Sequence, residues 1–137
     1  MEESKKQSSY ENLQAQIRDY QFPEIEVWTN LYSDKDYWIE LEVPEFTCIC
    51  PKTGLPDFAK IKIKYQPDLV CIELKSFKYY INAYRNIGIF HENAANKMLS
   101  DFVKACRPRQ VKLCAEFNLR GGIKTTVTAE YVKKCEK

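Results

Sequence analysis

Two runs of strict alternation, Tyr37 to Val43 and Ala59 to Tyr65, stand either side of a loop that no helix or central strand can cross. In the first run Tyr37, Ile39, Leu41 and Val43 share one side, and Trp38, Glu40 and Glu42 the other. In the second, Ile61, Ile63 and Tyr65 oppose Lys60, Lys62 and Lys64. A period of two with one apolar side is the pattern of a half-buried strand. The polar sides carry opposite charges, so antiparallel pairing sets the glutamates across from the lysines, each pair stabilising by roughly 0.2 to 1 kcal/mol. That is too little to hold a sheet together and enough to prefer one register.

Between the runs, Glu45 to Phe58 gathers Cys48, Cys50, Pro51, Gly54, Pro56 and Asp57. The prolines break regular structure and Gly54 permits a tight turn, so Cys50 sits where a strand gives way to a stiff loop. Asp57 closes the far end. A thiol and a carboxyl held at the two ends of one loop make a nucleophile and an acid that can face a small substrate together. Adjacency to Pro51 favours Cys50 over Cys48, and a buried structural cysteine is the competing reading for each.

From Glu73 the period changes. Leu74, Phe77, Ile81 and Tyr84 recur at helical spacing, as do Ala95, Met98, Leu99, Phe102 and Cys106 after His91. The two helices part near Gly88, and Arg107-Pro108 ends the second. Val111, Leu113, Ala115, Phe117 and Leu119 then alternate, Arg120-Gly121-Gly122 turns the chain, and Ile123 to Tyr131 alternates back. The order strand, strand, helix, helix, strand, strand predicts an α+β domain, a four-stranded antiparallel sheet with both helices on one face. Residues 1–22 are polar, with a hint of helix from Leu13 to Ile17, and read as a loosely ordered arm before a single domain spanning 23–137.

A chain of 137 residues with 45% hydrophobic content suits one such domain. Its 21 basic and 19 acidic residues leave a net charge of +2, which argues against nucleic acid or an anionic membrane as a partner. No apolar run approaches a membrane span, and Met1 to Lys6 lacks the apolar stretch of a signal peptide, so a cytoplasmic protein with free thiols is expected.

Two further clusters carry charge. Glu73-Leu74-Lys75-Ser76-Phe77-Lys78-Tyr79-Tyr80 places Glu73, Lys75 and Lys78 in and near the first turn of a helix. Glu73 suits the positive helix end, whereas the lysines run against the dipole and point to an anionic ligand such as a phosphate. On charge alone a solvated helix face stands equal to that reading. His91, the only histidine, precedes Glu92 at the second helix start. Glu92 there either favours the dipole or accepts the N–H edge of a guanine-like ring through paired hydrogen bonds. Cys48, Cys50, Cys71 and His91 match no familiar zinc spacing, and no metal is expected. With four glycines and no Gly-x-Gly-x-x-Gly, a Rossmann nucleotide site is excluded.

Taken together, the Cys50-Pro51-Lys52-Thr53-Gly54 loop ending at Asp57, the segment from Glu73 to Tyr80, and His91-Glu92-Asn93 resemble the NADPH-dependent 7-cyano-7-deazaguanine reductases, the nitrile reductases of queuosine biosynthesis. The resemblance spans about Glu40 to Tyr131, with three motifs in family order and spacing, and the length is that of the short, single-module branch. Leu55 departs from the glutamine of many members, and Cys48 is an extra thiol.

The resemblance implies a tunnelling fold and a homo-oligomer, two stacked rings with active sites between neighbouring subunits. It implies that Cys50 attacks the nitrile of 7-cyano-7-deazaguanine to form a thioimide and that Asp57 donates protons. Donation near neutral pH requires Asp57 to be partly protonated, an effect expected from burial beside Leu55 and Phe58 or from a nearby anion. Ile72, Glu73 and Leu74, with His91 and Glu92, would contact the deazaguanine. Leu74, Lys75, Arg120 and Gly121, with Lys78 as a further phosphate contact, would meet NADPH. An amidine-forming relative that passes the thioimide to an amine donor is the alternative within the fold, but such relatives lack the signature at Glu73. A non-catalytic purine- or pterin-binding ring protein needs neither Cys50 nor Asp57, and a zinc cyclohydrolase needs more histidines.

Overall fold

The computed structural model describes residues 21–134, so all but the last two positions of the expected arm, Leu13 to Ile17 included, lie outside the described residues. Strands β2 (Ile39–Ile49), β3 (Pro56–Gln66), β5 (Gln110–Phe117) and β6 (Thr126–Val132) form one antiparallel sheet in the order β2-β3-β5-β6. Two strands that alternation does not reveal, β1 (Val27–Thr29) and β4 (Val70–Ile72), pair antiparallel in a second small sheet. Three residues are too few to show a period, and all of β1 is exposed. Helices α1 (Leu74–Asn82) and α2 (His91–Cys106) follow β4, with a 3₁₀ turn at Ala83–Asn86 between them.

The register is the one that charge predicts. Glu40 lies across from Lys64 and Glu42 across from Lys62, with ion pairs Lys64–Glu40 at 3.9 Å and Lys60–Glu42 at 3.5 Å. On the opposite side Ile61, Ile63, Tyr65, Val111, Leu113 and Ala115 are buried against Phe77, Ile81, Ala95, Met98 and Phe102 of the helices. Each fully buried side chain of this kind stabilises by about 1.5–3 kcal/mol, several times a surface ion pair, so the helix-covered face holds the domain together. Leu74, Leu119 and Ile123, counted by periodicity into buried faces, are instead exposed. Leu74 is the first residue of its helix, and the other two lie beyond the strand ends.

A shift of register between Val43 and Phe46 decides what reaches the site. Pro44 has no N–H for the ladder, and a bulge accommodates it. Before the bulge the odd-numbered residues Ile39, Leu41 and Val43 face the core; after it the even-numbered Phe46 and Cys48 do, both fully buried. Cys48 is thereby set opposite Asp57 of β3.

Candidate active site

Asp57 occupies the first core-facing position of β3, in line with Ala59, Ile61, Ile63 and Tyr65. It is 5% exposed, a carboxylate at the end of an otherwise apolar row. Such a group must be paired. Its Oδ1 lies 2.6 Å from Nη2 of Arg120, and its Oδ2 lies 3.0 Å from Nε2 of His91. The expected burial against Leu55 and Phe58 is not found, since these side chains are 58% and 52% exposed. Strand alternation turns Phe58 to the opposite face from Asp57, and Leu55 lies in the turn; cationic and aromatic partners from distant elements bury Asp57 instead.

His91 reaches Asp57 because of the segment before α2. Ile49 at the end of β2 donates to Ile87 O at 2.9 Å and accepts from Ile89 N at 3.0 Å, a short parallel pairing that ties residues 87–89 to the strand carrying the thiol loop. Two residues later α2 begins at His91. The imidazole stacks on Phe117 of β5, with ring centroids 3.7 Å apart and planes within 5°. Phe117 therefore fixes the ring plane that faces Asp57, a role that alternation alone reads as core packing.

The loop between β2 and β3 sets the surroundings of Cys50. Cys50 N donates to Leu55 O and Gly54 N to Cys50 O, both at 2.8 Å, and Gly54 takes φ 71°, which a side chain would strain. Burial alone would raise the Cys50 thiol, and the Asp57 carboxylate adds to that. Hydrogen bonds from the Thr53 hydroxyl and from the Thr53 and Lys52 N–H groups outweigh both and hold the thiol below its ordinary value. The Thr53 hydroxyl also accepts from Leu55 N at 3.2 Å, which tightens the turn. Cys48 is the opposite case: burial, then Asp57 and Cys50, push it up to about 12 despite Arg120. Of the two thiols, the half-buried Cys50 is the one held below its ordinary value and open to solvent.

Arg120 comes from the turn between β5 and β6. Besides Asp57 it reaches Pro56 O at 2.9 Å, while its backbone pairs with Ile123 across Gly121 (φ 57°) and Gly122 (φ 81°). Pro56, Asp57, Phe58, His91, Phe117, Asn118, Leu119 and Arg120 enclose a cavity of about 50 Å³. That is room for a water molecule, not for a bicyclic base. Larger grooves, of about 710 and 1520 Å³, lie along α2 and contain none of these residues.

The second cluster stands apart. Glu73 is the N-cap of α1, its carboxylate accepting from Lys75 N at 2.8 Å and Ser76 N at 2.7 Å. Those backbone hydrogen bonds, Ser76 first, lower its carboxyl below the ordinary value. Ile72 is buried, its N donating to Tyr65 Oη and its O accepting from Trp28 Nε1. Leu74, Lys75, Lys78, Glu92 and Gly121 are exposed. Among the described residues no hydrogen bond or ion pair joins Ile72–Lys78 to Cys50, Asp57, His91 or Arg120, and no three His, Cys, Asp or Glu side chains converge as metal ligands.

The family model for QueF-like protein matches residues 56–136, a segment that holds Asp57, Ile72 to Lys78, His91, Glu92 and Arg120. The chain belongs to this family. Within it, a protein of Chlorobaculum tepidum named NADPH-dependent 7-cyano-7-deazaguanine reductase is 56% identical over 112 residues, covering 82% of this chain and 96% of that one. A protein of the same name from Elusimicrobium minutum is 54% identical over 112 residues, covering 82% and 84%. Among solved structures, the archaeosine synthase QueF-Like in its apo form superposes with a TM-score of 0.66, covering 72% of this chain and 96% of its own. At 23% identity it shares the fold of this QueF-like chain and carries no assignment of activity.

Proposed function

We propose that this chain is an NADPH-dependent reductase of 7-cyano-7-deazaguanine, converting the nitrile to an aminomethyl group through a covalent thioimide on Cys50. The observation that carries the reading is the lowered Cys50 thiol within electrostatic reach of a buried, partnered carboxyl at the other end of its loop. A binding protein needs neither, and relatives at 56% and 54% identity bear the reductase name. No helix of the described residues is long and apolar enough to cross a membrane.

In this reading the Cys50 thiolate adds to the nitrile carbon, one C–N π bond breaks, and the nitrogen takes a proton from Asp57. NADPH supplies hydride, one from each of two molecules in turn. Asp57, resupplied from solvent, returns a proton to nitrogen at each reduction, and the C–S bond breaks to release Cys50 as thiolate. His91 holds Asp57 Oδ2 in place. The residues suit the cofactor: Lys75 and Lys78 are exposed near the start of α1, the Arg120 side chain is 37% exposed, and Gly121 and Gly122 leave open space where a Cβ would stand. A polyanion can meet cations and bare backbone there.

The 50 Å³ cavity and the separate Glu73 cluster support a site completed between copies of this chain. Strands β2 and β6 are the edges of the larger sheet, and pairing them between neighbours closes a ring, two of which stack. Ile72 to Leu74 and Glu92 would then hold the deazaguanine, Glu92 accepting its N–H edge.

Mixing the protein with 7-cyano-7-deazaguanine and NADPH and following the cofactor's near-ultraviolet absorbance tests the function. The absorbance falls by two NADPH per nitrile; no fall, with folded protein, overturns the reading. Lys75→Ala is expected to raise the KM for NADPH about tenfold while leaving thioimide formation intact, because a charge-assisted hydrogen bond to phosphate is lost. An unchanged KM removes Lys75 from the cofactor site.

A further inference from the structure

We infer that Ser76 is a positioning residue for both ligands: its buried hydroxyl fastens the turn at residues 72–75 to the chain entering β1, so that the base contact at Glu73 and the phosphate contact at Lys75 are set before either ligand arrives. The inference rests on the reading of Glu73 and Lys75 given above and adds what holds them. Ser76 stands with Phe77, Tyr80 and Ile81 on the buried side of α1 and is 7% exposed. An alanine there would suit the helix better and leave no polar atom to satisfy. The serine hydroxyl is instead used twice.

It donates to Glu73 O at 2.9 Å and accepts from Glu26 N at 2.8 Å, 50 residues away in sequence. Glu73 N donates in turn to Glu26 O at 2.9 Å, which closes a ring of hydrogen bonds around Glu26, Glu73 and Ser76. Ser76 N and Lys75 N hold the Glu73 carboxylate at 2.7 and 2.8 Å. The backbone and the side chain of Glu73 are thus both fixed. A carboxylate offers about four lone-pair sites and the cap uses two, so an N–H edge can still be accepted without uncapping the helix.

The far side of this grip is anchored without Ser76. Phe22 packs on Tyr80 and Tyr84, with ring centroids 5.4 and 4.8 Å away, and Lys97 Nζ lies 4.5 Å from the centroid of its ring. Trp28 Nε1 donates to Ile72 O at 3.3 Å, and β1 pairs with β4 along Val27–Thr29. Losing the hydroxyl therefore frees the turn and leaves its neighbours in place. Ser76 is too buried to meet a ligand itself, so its removal acts on both ligands through one shared turn, and both weaken together.

Steady-state kinetics of the full chain, with NADPH and 7-cyano-7-deazaguanine varied in turn, read the effect. Ser76→Ala is expected to raise the KM for both by about three- to tenfold, the worth of one hydrogen bond, with kcat nearly kept. Ser76→Thr retains the hydroxyl and holds both values near wild type. In the ligand-free chain, hydrogen–deuterium exchange at residues 72–76 quickens in Ser76→Ala while β2, β3 and β5 keep their protection. Ser76→Cys, which keeps the bulk and bonds only weakly, carries the same expectations should Ser76→Ala not fold. A fall in kcat at unchanged KM marks a smaller folded fraction and overturns the inference, as do a KM raised for one ligand alone, unchanged exchange at residues 72–76, and a folded Ser76→Thr that behaves as Ser76→Ala. If Lys75→Ala leaves the KM for NADPH unchanged, the cofactor reading at this turn falls and the inference with it. If Lys75→Ala raises that KM and Ser76→Ala does not, only the inference falls.

Discussion

Cys50→Ala is expected to form no covalent adduct with 7-cyano-7-deazaguanine and to lose turnover by a factor on the order of 10⁴ or more, because the proposed step that splits the reduction in two is gone. Cys48→Ala keeps both. The intact chain should gain the mass of the nitrile in the wild type and in Cys48→Ala alone, with a new thioimide absorbance. The pH dependence follows from the two thiols. Cys50 is held below the ordinary thiol value, so it carries more thiolate than an ordinary cysteine at the same pH, and alkylation slows as pH falls through that lowered value. Cys48, pushed up to about 12, remains a thiol throughout and is shielded by complete burial. An adduct that survives Cys50→Ala and disappears with Cys48→Ala reverses the assignment.

What made the fold legible was charge as much as hydropathy. Alternation located β2, β3, β5 and β6, and the opposed rows of Glu40, Glu42 and the lysines pointed to the register of β2 on β3. The bulge was visible in principle at Pro44, yet the reversal of facing it imposes on Phe46 and Cys48 appears only when the partner strand is in place. Periodicity overran the ends of elements, counting Leu119 and Ile123 into strands where the backbone had already begun to turn. Strands β1 and β4 owe their existence to each other, 41 residues or more apart in sequence, and not to a local pattern.

The site divides in the same way. Cys50 and its activation are local, built from the turn that Thr53, Gly54 and the prolines dictate. The surroundings of Asp57 are not local. Its partners lie 34 residues on, at the start of a helix, and 63 residues on, in a hairpin turn, so no window of sequence joins them. The adjacent Leu55 and Phe58 are exposed, and it is Arg120 and His91 that meet its two oxygens. The resemblance named Arg120 for the cofactor, and only the fold shows that it touches Asp57.

Asp57→Asn is expected to slow turnover by about 10²–10⁴ and to slow thioimide formation as well, since both need a proton delivered to nitrogen. Asparagine keeps the shape and one oxygen acceptor while removing the acid and the charge. The structure offers one competing role, that Asp57 serves as the anchor that binds the Arg120 turn and His91 together. An anchor and an acid respond differently. If Asp57 only anchors, Arg120→Ala breaks the same tie and matches Asp57→Asn in adduct formation, and both variants lose stability more than chemistry. If Asp57 is the acid, Arg120→Ala retains adduct formation, because the carboxyl remains and is freed of its cation, whereas Asp57→Asn does not. Adduct rates for the two folded, correctly assembled variants, read by intact mass against time, separate the cases. Near-normal turnover in Asp57→Asn ends the general-acid assignment.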